Sequence, residues 1–205
     1  MSDRIILALI DDDPAVLDST ALLLRSRGFT VRPHASALEF LAEVVGKKVQ
    51  VACVVSDVRM PGMTGLELQA ELNRMASPIP LILITGHADV RMAVQAVKGG
   101  AADFIEKPFD IEVLIRAIET AAAMARANEV RHQQQADVIA RTASLSARQR
   151  QVMSLVVEGY SSRQIAEKLG ISARTVETYR LAIMEKMGAG SVAALVRMAA
   201  MLPPD

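Results

Sequence analysis

A single cysteine, Cys53, stands in 205 residues. An internal disulfide framework and a cysteine-based zinc site are therefore excluded. Tryptophan is missing and aromatic residues make up only 3%, so a core must be built from Leu, Val, Ile, Met and Ala. No apolar run reaches the roughly 18 residues of a membrane span. The apolar run at 5–10 is followed at once by three aspartates and by no small-residue cleavage site. It reads as neither a span nor a signal peptide. What is present is a globular balance of 51% hydrophobic and 22% charged residues. The expectation is a soluble cytoplasmic protein of one large domain or two modest ones, with no membrane partner.

Basic and acidic residues cancel overall, but not locally. Residues 1–122 carry a balance of −4 and residues 123–205 one of +4. An acidic part joined to a basic part suggests different partners, with nucleic acid a candidate for the second. The first part alternates short apolar runs, at 4–10, 30–33, 51–56, 80–84 and 102–105, with helical patterns near 14–27, 36–45, 65–74, 88–98 and from 110 onward. Continuous apolar runs are what strands buried on both faces require. Five such strands alternating with five helices predict a doubly wound α/β domain around a parallel sheet. Residues 124–144 lose the strand pattern and read as a helical extension leading into a linker. Beyond them only helical patterns remain, near 147–158, 162–169, 173–187 and 191–201, separated by glycines.

Parallel sheets bind ligands beyond the carboxyl ends of their strands. Asp11, Asp12 and Asp13 follow the first predicted strand and Asp57 the third. Asp13 before Pro14 reads as a helix N-cap with Pro at N1. Asp11, Asp12 and Asp57 remain as like charges brought to one edge, for which a hard divalent cation is the usual remedy. Mg²⁺ suits few carboxylates, several waters and a phosphate ligand. Thr85 ends the fourth strand and Lys107 follows the fifth. A Lys can neutralise a phosphoryl group and a Thr hydroxyl can donate to one of its oxygens.

With IDDD (10–13), SDVRMPGMTG (56–65), ITGHAD (84–89) and DFIEKPF (103–109), residues 3–122 strongly resemble the receiver domain of two-component response regulators. The resemblance implies a flavodoxin-like (βα)5 fold and a phosphoacceptor at Asp57. It implies Asp12 as a direct Mg²⁺ ligand, Asp11 holding metal waters and the Arg59 carbonyl completing the set. Thr85 becomes the switch hydroxyl, Phe104 the switch aromatic and Lys107 the phosphate partner, with a cis peptide before Pro108. A sensor histidine kinase is the implied phosphodonor. If Phe104 rearranges on phosphorylation, Val94 and Lys98, one turn apart on the fourth helix, form a symmetric homodimer face.

In the basic part, helices at 162–169 and 173–187 are joined by Gly170, Ile171 and Ser172, with Ser172 capping the second. A short glycine-containing turn between two helices fits helix-turn-helix geometry. LSARQRQVM, SSRQIAEKLGIS and RTVETYRLAIMEKM resemble the four-helix DNA-binding domain of the LuxR/NarL class, over about 143–202. Together with the receiver motifs, the pattern is closest to FixJ-type regulators. The resemblance makes 173–187 the recognition helix on double-stranded promoter DNA. Arg163, Arg174, Arg180 and Lys186 can reach phosphates, and Thr175, Glu177 and Thr178 lie on the reading end. Glu177 either accepts from a cytosine N4 or orients a neighbouring Arg, and the Thr178 methyl can touch thymine. One departure is Gln149, where the class usually has Glu after Arg148; a local salt bridge is expected to change. His34, His87 and His132 have no partners at ligand spacing and receive no chemistry.

The resulting expectation is a receiver at 1–122, a helical linker at 123–143 and a DNA-binding domain at 144–205. It is a phosphorylation-activated transcription factor and not an enzyme, although the receiver takes part in its own Mg²⁺-dependent phosphotransfer. RNA polymerase is a further candidate partner. The competing class is a Mg²⁺-dependent phosphohydrolase of the haloacid dehalogenase type, which needs an Asp two residues after the nucleophile. Arg59 stands there instead. A third reading, phosphate-independent DNA binding with the receiver as a dimerisation platform, runs against the intact acid–Thr–Lys set.

Overall fold

The computed structural model describes residues 5–46, 50–86 and 89–202. Arg4, at the start of the first apolar run, and His87 and Ala88 of the ITGHAD segment lie outside them. Contacts divide the chain into two compact units, Met1–Asn128 and Glu129–Asp205. No helix among the described residues is long and apolar enough to cross a membrane.

The first unit is built on five parallel strands: β1 (Ile6–Ile10), β2 (Thr30–His34), β3 (Cys53–Asp57), β4 (Leu81–Thr85) and β5 (Asp103–Glu106), in the order β2-β1-β3-β4-β5. Five helices accompany them: α1 (Pro14–Ser26), α2 (Ala37–Val45), α3 (Gly65–Arg74), α4 (Val90–Lys98) and the start of α5 (Ile111–Ala143). The continuous apolar runs are explained by burial on two sides. Leu7, Leu9, Cys53, Val55, Ile82 and Ile84 pack with side chains of α1 and α5. Their strand neighbours Ala8, Ile10, Val54, Leu81 and Leu83 pack with α2, α3 and α4. Side chains that alternate between two covered faces make the central strands apolar up to their carboxyl ends, where Ser56, Asp57 and Thr85 stand.

Polar side chains set the helix starts. Asp13 caps α1 by accepting from Ala15 N, with Pro14 at the first position. Thr64 and Glu67 form a reciprocal capping box at α3, with Glu67 Nα on the Thr64 hydroxyl and Thr64 Nα on the Glu67 carboxylate at 2.8 Å. Hydrogen bonds from Thr64 hold the Glu67 carboxyl below its ordinary value. Two side-chain amides of α3 hold α4: Gln69 Nε2 donates to Ala96 O at 2.9 Å and Asn73 Nδ2 to Gly99 O at 2.7 Å. Ala96 is the buried residue of α4, while Val90, Val94 and Val97 are exposed.

Over the stretch expected as a helical linker, 123–143, α5 runs unbroken, for 33 residues in all to Ala143. Nothing between 111 and 143 is Pro or Gly, so nothing breaks the helix before Ser144. The rest of the second unit comprises α6 (Ala147–Val157), α7 (Ser162–Leu169), α8 (Ala173–Met187) and α9 (Val192–Ala199) around Val152, Ile165, Val176, Ile183, Met187 and Leu195. Capping boxes recur at α6 (Ser146 with Gln149) and α7 (Ser161 with Gln164). Gly170 ends α7 at φ +65°, a left-handed conformation that favours glycine and turns the chain into Ser172, the cap of α8.

His34, at the end of edge strand β2, is 3% exposed. Its ring meets Phe40 edge-on, with centroids 5.4 Å apart. Neither ring nitrogen has a hydrogen-bond partner among the described residues. Burial, the main cause, holds the imidazole below its ordinary value; Arg32 adds to this, and Glu43 and Glu39 oppose it. A histidine lowered in the folded state binds fewer protons there. Its contribution is complete above the unfolded value near 6.5 and is lost as pH falls through it. Urea unfolding of the first unit should therefore show falling stability as pH drops from about 7 to about 5.5. His34→Phe should remove that part of the slope and add about 1 kcal/mol by eliminating unsatisfied buried nitrogens. An unchanged slope in the variant would assign the dependence to other groups.

Candidate phosphoryl-transfer site and DNA-reading helix

Register brings the acids together. Ile10 of β1 pairs with Ser56 of β3, and Asp57 with Ile84 of β4. The residues just beyond β1, at the end of β3 and beyond β5 therefore share one edge. Lys107 Nζ lies 2.8 Å from Asp57 Oδ1 and 3.1 Å from Asp11 Oδ2. The second Asp57 oxygen accepts from Arg59 N at 2.6 Å, and Asp11 Oδ1 from Asp13 N at 3.0 Å. The main chain anchors the cation: Lys107 N donates to Thr85 O at 2.7 Å, and the peptide between Lys107 and Pro108 is cis.

Electrostatics follow from this packing. Burial lifts the Asp11 carboxyl above the ordinary carboxylate value, against the Asp13 N–H and the Lys107 charge, with Asp57 adding to the rise. Burial works to lower Lys107, but hydrogen bonds and charge from Asp57 and Asp11 outweigh it and the ammonium is raised. Lys107 is thus held as a cation between two carboxylates.

Asp12 is exposed and outside this contact. Among the described residues no three His, Cys, Asp or Glu side chains are grouped closely enough to hold a metal ion. The Lys107 ammonium already joins two of the three acids, and the third faces solvent. The donor chemistry still suits a hard cation: two carboxylates in one contact, a third on the adjacent residue, and the carbonyl of Arg59 two residues after Asp57.

Thr85 is fully buried, and Phe104 is half-buried against the α2–α4 side of the sheet. Gly65 was not singled out in the sequence, yet it has no room for a side chain. A Cβ there would lie 2.5 Å from Asp57 O and 2.8 Å from Leu83 Cδ2. The backbone of α3 thus approaches the end of β3 directly. The legible signal was Thr64 with Glu67 three residues on, a capping box that starts the helix at Gly65.

In the second unit Arg163, Arg174, Glu177 and Thr178 are exposed, Thr175 and Arg180 partly so. Ser162 joins two of them: its hydroxyl donates to the Glu177 carboxylate and receives Arg180 Nη1 at 3.4 Å. Sequence reasoning missed Ser162, and only the packing of α7 on α8 brings it there. The Thr178 hydroxyl donates to Arg174 O at 3.1 Å within its own helix. Lys186 is not brought to this end of α8. Its ammonium donates to Ser144 O at 3.1 Å and Gln149 Oε1 at 3.0 Å.

A doubly wound sheet with an acid–lysine–acid edge, followed by a helix-turn-helix, defines a receiver coupled to a DNA-reading unit. Residues 7–119 match the response regulator receiver domain, and residues 143–199 the luxR family of bacterial regulatory proteins. The chain is 47% identical to the transcriptional regulatory protein FixJ of Azorhizobium caulinodans, over 97% of this chain and 93% of that protein. It is 41% identical to the response regulator protein TodT of Pseudomonas putida, over 97% and 87%. Among solved structures it resembles the response regulator StyR, at TM-score 0.82 and 35% identity, covering 97% of this chain and 99% of that one. Full-length FixJ from B. japonicum matches at TM-score 0.61 and 44% identity, covering 98% of each. The chain belongs to the two-component response regulators that carry a luxR-family DNA-binding domain. Its function is phosphorylation-dependent regulation of transcription.

The Gln149 departure has a local consequence. Its amide oxygen accepts both Ser146 N, at 2.9 Å, and the Lys186 ammonium. Glu at this position keeps the capping box and turns a charge–dipole contact into an ion pair. Gln149→Glu should raise the stability of the second unit by roughly 0.5–1 kcal/mol. Thermal melts of the full chain check this, and Lys186→Met should abolish the gain.

Proposed function

We propose that Asp57 is the phosphoacceptor and that a sensor histidine kinase is its donor. The observation that carries this reading is the Lys107 ammonium between Asp57 and Asp11 at the carboxyl edge of the sheet. An Asp57 carboxylate oxygen bonds to the phosphorus of a phosphohistidine as the N–P bond breaks, and the departing imidazole takes a proton. Lys107 stays beside the new acyl phosphate and offsets the charge on its oxygens. Asp11, Asp12, Asp57 and the Arg59 carbonyl would hold Mg²⁺, which when bound neutralises phosphoryl charge. The Thr85 hydroxyl turns toward the phosphoryl oxygens, and Phe104 moves into the space this opens. The protein is no enzyme in the turnover sense; it takes part only in its own phosphotransfer.

The exposed face of α4 then becomes a homodimer contact through Val94 and Lys98. Val90 and Val97 extend it as an apolar stripe. Two DNA-binding units act together on an inverted repeat in promoter DNA, with half-sites about one turn (~10 bp) apart. Arg163, Arg174 and Arg180 meet phosphates at the reading end of α8, with Thr175 beside them. Thr178 keeps its methyl for a base edge while its hydroxyl is bonded within the helix. The Ser162 bridge favours Glu177 as an orienter of Arg180 over a base contact. Lys186 meets phosphate only by giving up its bonds to Ser144 and Gln149. The working division is receiver 1–122, helical linker 123–143 and DNA-binding domain 144–205, acting in the cytoplasm with RNA polymerase as a further partner.

Asp57→Asn, nearly isosteric, should abolish phosphate incorporation from acetyl phosphate and Mg²⁺ while leaving the circular dichroism spectrum intact. Labelling at wild-type level would move the acceptor elsewhere, and rapid multiple turnover to free phosphate would favour a hydrolase.

Val94→Glu places like charges against each other across a symmetric contact. It should leave labelling intact and prevent phosphorylation-dependent dimerisation in sedimentation. A dimer that persists would relocate the interface.

A further inference from the structure

The far end of α8 is held by a residue from α5. Met187, the last residue of α8, is fully buried. Main-chain bonds close the turn after it, with Gly188 N on Glu185 O at 3.0 Å and Ala189 N on Met184 O at 2.9 Å. The Met187 carbonyl instead accepts Arg141 Nη1 at 2.7 Å. A guanidinium at this place puts fixed positive charge at the negative end of the helix dipole. Gly188 makes room for it. It adopts φ +66°, and a Cβ there would lie 2.3 Å from Arg141 Nη1.

The main chain that carries this guanidinium is itself anchored. The Arg141 carbonyl receives Ser144 N at 3.1 Å and Ser144 Oγ at 2.6 Å. Ser144 O in turn receives the Lys186 ammonium, so the two helix ends are tied in both directions. One face of α5, at positions 135, 138 and 142, packs within the second unit. Gln135 Nε2 donates to Met201 O at 2.9 Å, Val138 is 4% exposed in the core, and the Thr142 hydroxyl lies 3.8 Å from Met187 Sδ.

We infer that Arg141 is a positioning residue for DNA recognition, fixing α8 along its axis by gripping its last carbonyl. This rests on the reading of α8 as the recognition helix. Arg174 and Met187 are 13 residues apart, about 20 Å along a helix, so Arg141 acts on base reading through α8 and not by touching the bases that α8 reads. Apolar packing alone lets a helix slide, whereas base-edge hydrogen bonds tolerate displacements of only about 0.5 Å. A charge-assisted bond from a guanidinium whose main chain is held by Ser144 opposes that sliding.

The test uses the full chain and two duplexes of equal length, one recovered by the wild-type protein from a randomised pool and one unrelated. Arg141→Ala should lose about tenfold in affinity for the recovered duplex and little for the unrelated one. The slope of log affinity against log salt should stay unchanged. Arg141→Lys, which keeps a charged donor, should recover part of the loss. Gly188→Ala should weaken selective binding in the wild-type background, and less so once Arg141→Ala has removed the clash. Equal losses on both duplexes, with a slope shallower by about one, would make Arg141 a phosphate contact and overturn the inference. So would unaltered discrimination in Arg141→Ala. A wild-type chain that recovers no preferred duplex removes the reading of α8, and this inference with it.

Discussion

Two carboxylates at the ends of neighbouring parallel strands repel, and in this receiver the Lys107 ammonium stands between them. The register of β1, β3 and β4 brings Asp11 and Asp57 together, and the main chain after β5 delivers the cation. Burial makes the arrangement exacting, because Asp11 is already lifted above the ordinary carboxylate value. A further charge arriving at Asp57 changes a balance that the three side chains have set among themselves. Thr85 ends the neighbouring strand β4, and its carbonyl holds the Lys107 main chain, so β4 and the segment after β5 share this edge with the acids.

On the other side of that edge, α4 is the lightly held element. α4 buries Ala96 and leans on two amides from α3, while its valines face outward. A helix attached by few apolar contacts is the element most easily displaced when its neighbours repack. α3, by contrast, starts at Gly65 with its backbone against the end of β3. The two helices therefore differ in how they are held: the start of α3 is fixed against the end of β3, and α4 is attached by few contacts.

Much of this was legible in the chain. Continuous apolar runs implied strands covered on both faces, and residues at four strand ends named the site. The order IDDD, SDVRMPG, ITGHAD and EKPF carried the receiver, and the SSRQIAEKLGIS turn carried the helix-turn-helix. What was not legible depends on long-range approach. Asp12 reads as equivalent to Asp11 in sequence, but only Asp11 turns toward Lys107. Glu177 reads either as a base contact or as an orienter of a neighbouring Arg, and the hydroxyl of Ser162, which joins it to Arg180, arrives only through packing of α7 on α8. The polar stretch after 123 read as a linker because its apolar residues are sparse. Val138 and Thr142 are enough to dock its last turns, and Arg141 reaches the end of α8 from there.

The three capping boxes differ in chemistry. The box at α3 closes with the Glu67 carboxylate, whereas those at α6 and α7 close with the amides of Gln149 and Gln164. Glu67 is held below its ordinary value, so its cap is intact above the unfolded value and fails as pH falls through the folded one. An amide has no proton to gain. Acid below the ordinary glutamate range therefore removes one cap from the helix beside Asp57, whereas the amide caps at α6 and α7 do not titrate. The amide boxes also keep the starts of α6 and α7 free of a capping carboxylate's negative charge at every pH.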